Sequence, residues 1–191
     1  GKTVDYKECL TEGITKITTR DFAYAKAVNK SIKLLAVSER TEDGAALLVA
    51  PFMIGEDHPL NGVNDVFNAV FVHSNMLGDS MYYGKGAGKL PTASAVVGDI
   101  VDIVRSPEYN DYFTWEDCGN EDVIPYKDVE ARFFVRITAD KKDKVKEIFG
   151  DCEIIKGVSD YGFVTRKMSV ADLEKGIEAL GGIVSRLRLF K

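Results

Sequence analysis

The order in which apolar spacing changes along residues 131–190 restricts the fold of this chain more than any other feature. ARFFVRIT (131–138) has the period-two spacing of a strand, and DKVKEIFG (143–150) has helical spacing that stops on Gly150. CEIIKG (152–157) and YGFVTRKM (161–168) are two more strand runs, parted by the turn-like VSD (158–160). Ser169 then precedes a helical run, and Ser169 with Asp172 suits an N-terminal capping pair. Val170, Leu173, Ile177 and Leu180 share one face of that helix, and Gly181-Gly182 ends it. IVSRLRLF (183–190) closes the series as an alternating strand. The order βαββαβ is the ferredoxin-like split βαβ unit, a two-layer fold with both helices on one face of its sheet.

The preceding part has a different rhythm. YKECLTEGITKI (6–17) reads as a short strand or loop, after which Thr18 or Thr19 caps a helix through TRDFAYAKAVNK (19–30). Phe22, Ala25 and Ala27-Val28 supply its expected apolar face. IKLLAVSE (32–39), AALLVAPFMI (45–54), FNAVFVHS (67–74) and DSMYYGKG (79–86) are strand runs, and PTASAVVGDIVDIVRS (91–106) is a helix with Pro91 near its start and Thr92 or Ser94 near the cap. Short hairpins between the strands predict an antiparallel or mixed sheet. Its apolar central strands require cover on both faces, by helices or by a partner subunit. SPEYNDYFTWEDCGNEDVIPYKDVE (106–130) is acidic, rich in turn formers and without periodicity, so it reads as a loosely ordered linker with Tyr109, Tyr112, Phe113 and Trp115 packed on a neighbour. The expected architecture is therefore α+β: a mixed sheet covered by helices over residues 1–108, a linker at 109–128, and the ferredoxin-like unit over 129–191.

Composition excludes several classes. No apolar stretch approaches the roughly 18–20 residues that cross a bilayer, and no basic run with interleaved aromatics suggests nucleic acid at a net charge of −5. Cys9, Cys118 and Cys152 lie far apart, as reduced, buried or half-buried thiols of a cytoplasmic protein do. With only His58 and His73 to join them, a metal cage is not expected. The chain opens on Gly1 instead of Met, which reads as a tag scar or a cut site and hints at a fragment.

Gly84, Gly86 and Gly88 alternate through GKGAGKLPTAS (84–94) directly before the helix at Pro91. Exposed N–H groups and the helix dipole there suit an anion, and Lys85 and Lys89 add charge. The spacing is neither that of a P-loop nor of a dinucleotide fingerprint, so a tight strand-to-helix turn competes evenly with a binding site. His58 in EDHPLNG suits a bond to loop backbone better than acid–base work. Asp99 and Asp102, three apart on a helix, read as a polar edge more readily than as catalytic carboxylates. Glu12, Asp21 and Lys26 form a tempting acid–base set, although a solvated helix face explains Asp21 and Lys26 equally well. Spacing alone discloses no reaction.

Several separated motifs together resemble the catalytic-domain half of homoserine dehydrogenase. The family's GI-x-x-I-x-x-x-D helix followed by IKLL corresponds to Gly13-Ile14 through Asp21 and Ile32–Leu35. Its HPL turn and NAV strand correspond to His58–Leu60 and Asn68–Val70, and its YGxGAGxxPTAxAVxxD segment to Tyr83–Asp99, with Lys85 standing where Pro is usual. The resemblance covers about residues 10–105. It implies nicotinamide-dependent (NAD or NADP) interconversion of homoserine and aspartate semialdehyde, with a cofactor-binding Rossmann domain and a lysine-bearing catalytic segment that lie outside these residues. Glu12-Gly13 and Asp21 to Lys26 imitate that segment, but the IKLLAV and HPL registers assign them to the later helix. By the same resemblance Gly88 is the expected cofactor contact, with Gly86 and Gly84 shaping the turn, no catalytic residue is present, and the sheet builds a homodimer. Residues 131–190 resemble the ACT-type regulatory domain often appended to this family, although ADKKDKV (139–145) lacks the Pro-Gly of the usual effector loop. Three readings remain at this stage: a C-terminal piece of the enzyme, inactive alone; a non-catalytic amino-acid-sensing and dimerisation module; and a phosphate-binding protein using 84–94.

Overall fold

The computed structural model describes residues 2–106, 115–117, 121–156 and 160–190. In chain order the first elements are β1 (Lys2–Thr3), β2 (Leu10–Thr11), α1 (Thr19–Ala27), β3 (Lys30–Thr41) and β4 (Gly44–Gly55). There follow β5 (Phe67–Ser74), β6 (Gly78–Lys85), α2 (Lys89–Arg105), β7 (Glu116–Asp117) and β8 (Glu130–Ala131). The remainder is β9 (Phe133–Ile137), α3 (Val145–Phe149), β10 (Glu153–Ile155), β11 (Tyr161–Val164), β12 (Met168–Ser169), α4 (Val170–Ala179) and β13 (Ser185–Leu189).

Contacts gather the chain into two compact units, residues 56–115 and residues 2–55 with 116–191, a grouping different from a cut at 109–128. The physical reason is a shared sheet. β10, β11, β9 and β13 lie side by side as an antiparallel set, and β13 then pairs in parallel with β4 at Arg188↔Phe52 and Leu189↔Met53. β4 carries β3 along its whole length as an antiparallel hairpin and β2 as a short parallel neighbour. The sheet is thus mixed, as expected, but its membership differs: β5 and β6 pair with each other as a separate two-stranded sheet, and the C-terminal strands join β3 and β4 instead. Part of the expected linker is fixed to it: the Ala45 N–H donates to the Asp122 carbonyl (2.8 Å) and the Ile124 N–H to the Ala45 carbonyl (3.0 Å). Tyr109, Tyr112 and Phe113 lie outside the described residues, and Trp115 is exposed.

β9 sits between β11 and β13 with both faces covered, so all five residues of FFVRI are buried. Phe133, Val135 and Ile137 meet Val145 and Phe149 of α3 and Val170, Leu173 and Leu180 of α4. α3 and α4 therefore share one face, as the βαββαβ order requires. Phe134 faces the other way, into a second core with Tyr24 and Ala25 of α1, Met53, Ile155, Val164 and Leu187. Tyr24 lies 5.1 Å from Phe134, ring to ring, and covers β11 so closely that a Cβ on Gly162 would stand 2.4 Å from its ring. The buried face of α1 is thus Asp21, Tyr24 and Ala25, with Val28 packed beside it. Phe22, expected on that face, is 53% exposed.

Asp21 was expected on a solvated face and is instead fully buried, because Arg136 of β9 projects into the same core. The Asp21 carboxylate accepts from Arg136 Nε (3.1 Å), from the Ser185 hydroxyl, and from the Thr18 N–H (2.8 Å) and hydroxyl (2.7 Å) at the start of α1. Arg136 also donates to Asp160 (3.0 Å) and to the Thr18 hydroxyl (3.0 Å), while Arg20 and the Tyr24 hydroxyl reach Asp160 from α1. Burial pushes the Asp21 carboxyl up, but the bonds from Ser185 and Thr18 and the Arg136 charge outweigh it and hold it below the usual carboxylate range. Bonds from Arg20 and Arg136 likewise lower Asp160.

Replacing Arg136→Met strands the Asp21 charge, and urea unfolding is expected to show a loss of about 3–5 kcal/mol. The double variant Asp21→Asn/Arg136→Met is expected to lose less than the single one, since no buried charge remains. Because the folded-state values of Asp21 and Asp160 lie below their unfolded ones, their contribution is complete above an unfolded value of about 4. It is lost as pH falls through the folded values. An acid titration followed by circular dichroism is expected to show stability flat near neutrality and falling below about pH 4, with a shallower fall in the double variant.

Candidate functional site

Within residues 56–115, β5 and β6 form a hairpin in which Phe67 opposes Lys85 and Asn68 opposes Gly84. Gly84 and Lys85 end β6, Gly86 to Gly88 turn the chain, and α2 begins at Lys89, two residues before Pro91. Gly88 has φ +121 and provides the cap position without a side chain; neither Thr92 nor Ser94 serves as cap, and the Thr92 N–H donates to the Gly88 carbonyl (3.1 Å). At such a φ a side chain is strained, so the residue type follows from the turn. At Gly86 a Cβ would stand 2.0 Å from Asn68 Nδ2, whereas at Gly84 it would meet nothing within 4 Å. Lys85 Nζ lies 5.8 Å from the centre of the Phe67 ring, which stacks on Tyr83 at 4.8 Å. The product is an exposed strand–glycine turn–helix corner whose first helical N–H groups lack intrahelical acceptors. It suits close approach by an anionic or planar group, with Lys85 and Lys89 as its nearby charges.

The acid–base set is not assembled. Asp21 is buried in the α1 core, and Lys26 is exposed. Glu12 accepts from Arg186 (3.0 Å) and Arg188 (2.5 Å) of β13. Burial raises the Glu12 carboxyl, but the two guanidiniums outweigh that and lower it. His58 accepts through Nδ1 from the Leu60 N–H (3.2 Å), a bond to loop backbone, and its ring lies 4.7 Å from Phe71. Asp99 and Asp102 stand on an exposed stretch of α2. The His73–Asp79 pair (2.5 Å) directly across the hairpin went unread in the sequence, where only strand pairing would have brought the two together. Cys9 and Cys152 are free and half-buried, and Cys118 lies outside the described residues. Among the described residues no three His, Cys, Asp or Glu side chains gather as a metal site.

The fold has a likeness among solved structures. A homoserine dehydrogenase from Thiobacillus denitrificans superposes with a TM-score of 0.83 at 27% identity, covering 98% of this chain and 48% of that one. The family model described as homoserine dehydrogenase matches residues 1–101, and the chain belongs to that family. The homoserine dehydrogenase of Neisseria gonorrhoeae is 38% identical over 146 residues, 73% of this chain and 34% of that protein. That of Mycobacterium tuberculosis is 35% identical over 185 residues, 90% of this chain and 38% of that protein. The chain thus spans little more than a third of the length of either of these two relatives.

The glycine corner predicts a contrast between two small substitutions. Gly88→Ala is expected to cost about 1–3 kcal/mol in urea unfolding through its strained φ, whereas Gly84→Ala, with open space and an ordinary φ, is expected to change stability by less than about 0.5 kcal/mol.

Proposed function

We propose that this chain is the C-terminal part of an NAD(P)-dependent homoserine dehydrogenase, which interconverts L-homoserine and L-aspartate 4-semialdehyde on the route to threonine, methionine and isoleucine. The observation that carries the reading is the family match over residues 1–101, which includes the glycine corner. Gly88, Gly86 and Gly84 are the residues of this chain that face the cofactor's edge. The corner fits that role, being exposed, almost free of side-chain bulk and adjacent to the N-terminus of α2. The cofactor, when bound, gives or takes hydride; these glycines only admit and orient it. No βαβ unit with a glycine fingerprint occurs among the described residues, so most cofactor contacts come from chain beyond them. The 191-residue chain alone is therefore inactive.

A homodimer through the sheet of the first part completes the proposal, and the apolar side chains exposed on α2 (Leu90, Ile103 and Val104 at 70–79%) call for cover of that kind or by the missing domain. No helix among the described residues is long and apolar enough to cross a membrane. We place the protein in the cytoplasm, where such an enzyme meets its cofactor. Residues 129–190 serve as a ferredoxin-like, ACT-type regulatory domain. The strand order β10-β11-β9-β13 with both helices on one face supports this. The alternative is a module that senses an amino acid and dimerises without any chemistry.

The deciding measurement is NADPH oxidation with aspartate semialdehyde, on this chain and on the full product of its gene. Turnover by the full product and none by the chain is expected. A full product that includes a Rossmann domain and shows no turnover would overturn the enzyme reading and leave the module.

A further inference from the structure

The three glycines of the corner differ in what requires them. Gly88 is required by its positive φ, and Gly84 faces open space. Gly86 has no such φ, and its constraint is a neighbour: a Cβ there would fall on the Asn68 carboxamide. Asn68 is rooted in β5 opposite Gly84, so Gly86 is its diagonal neighbour across the hairpin. Gly84 opposes it without a side chain, which leaves the carboxamide room to lean over the turn. One residue earlier, on the other face of the strand, Phe67 stacks on Tyr83 at 4.8 Å and lies under Lys85. That stack fixes the register from which Asn68 reaches Gly86. No described residue hydrogen-bonds the carboxamide, and Asn68 is exposed, so neither a polar network nor core packing explains its place.

We infer that Asn68 is a positioning residue for the cofactor and acts through the glycine turn. Its side chain braces Gly86 and holds the backbone of residues 86–88 in the shape that the cofactor meets. Two glycines in three residues leave this turn a wide choice of conformations, and a cofactor that had to select one would lose affinity. Backbone bonds do not narrow the choice: the hairpin ladder ends at Lys85, and the first bond of α2 is made to the Gly88 carbonyl. Gly86 and Ala87 lie between the two, where Asn68 reaches. The inference rests on the reading that this corner faces the cofactor, and it adds the side chain that shapes the corner.

The test is made on the full product of the gene, with Asn68→Ala, Gly86→Ala and the double variant. Asn68→Ala is expected to raise KM for NADPH about tenfold. In that variant kcat at saturating NADPH, KM for aspartate semialdehyde and the melting temperature are expected to stay as they were. Hydrogen exchange at the Ala87 and Gly88 amides is expected to quicken, a readout that needs no turnover. Gly86→Ala is expected to raise KM for NADPH as well, through the clash with the carboxamide. The two losses are expected to be non-additive, since removing the carboxamide clears the space for the new methyl group. Unchanged exchange or additive losses overturn the brace. Faster exchange with an unaltered KM overturns its assignment to the cofactor and leaves the enzyme reading standing. A full product without turnover in any form overturns the enzyme reading and the cofactor assignment with it, and exchange alone then decides the brace.

Discussion

A guanidinium lies where a sheet is covered on both sides, and the fold of residues 2–55 and 116–190 is arranged around it. Withdrawing Arg136 and Asp21 from water costs several kcal/mol per ion, which only good geometry offsets. The geometry is good: Arg136 Nε reaches Asp21 and Ser185, one terminal nitrogen reaches Asp160, and the other reaches Thr18 and Asp21. Three separate segments converge on one side chain: the start of α1, the residue that leads into β11, and the start of β13. Apolar contact between Tyr24 and Phe134 would hold α1 against the sheet at many angles. The directional bonds choose one.

Arg188, on the neighbouring strand β13 and paired with Phe133, shows what partial satisfaction looks like. It is 4% exposed and bonded to Glu12, and its remaining terminal nitrogen is buried without a hydrogen-bond partner. Its guanidinium lies 5.7 Å from the centre of the Phe133 ring, a cation–π contact that recovers part of the lost hydration. The two arginines thus join the early and late parts of the chain from opposite faces of one sheet, through Asp21 on one side and Glu12 on the other.

Most elements were legible because their cause is local. The hairpins, the Ser169 cap and the Gly181-Gly182 stop follow from spacing and capping, and they stand where the residues place them: the Ser169 hydroxyl accepts from the Asp172 N–H at 3.1 Å. The glycine corner was legible for the same reason. What failed had a distant cause. Asp21 reads as a solvated helix residue until Arg136, 115 positions later, is brought beneath it. Phe22 looks like a core residue on hydrophobicity alone, yet it is Asp21 and Tyr24 that point inward. One signal was available and passed over: an arginine inside FFVRI, a run too apolar to face water, demands a buried carboxylate somewhere else in the chain. Likewise the acidic stretch before β8 has no periodicity of its own, because Asp122–Ile124 borrows its order from the edge at Ala45.

The narrow junction of β13 with β4 also fixes an order of events during synthesis. Phe52 and Met53 leave the ribosome long before Arg188 and Leu189 exist to pair with them, and Tyr24 waits as long for Phe134 and Leu187. For that interval the β3–β4 hairpin has an unmatched edge and an uncovered apolar face, the state in which nascent chains stick to one another. The final strand is therefore also the one that ends this exposure, and a ribosome stalled short of residue 185 would release an adhesive intermediate, not a smaller stable protein.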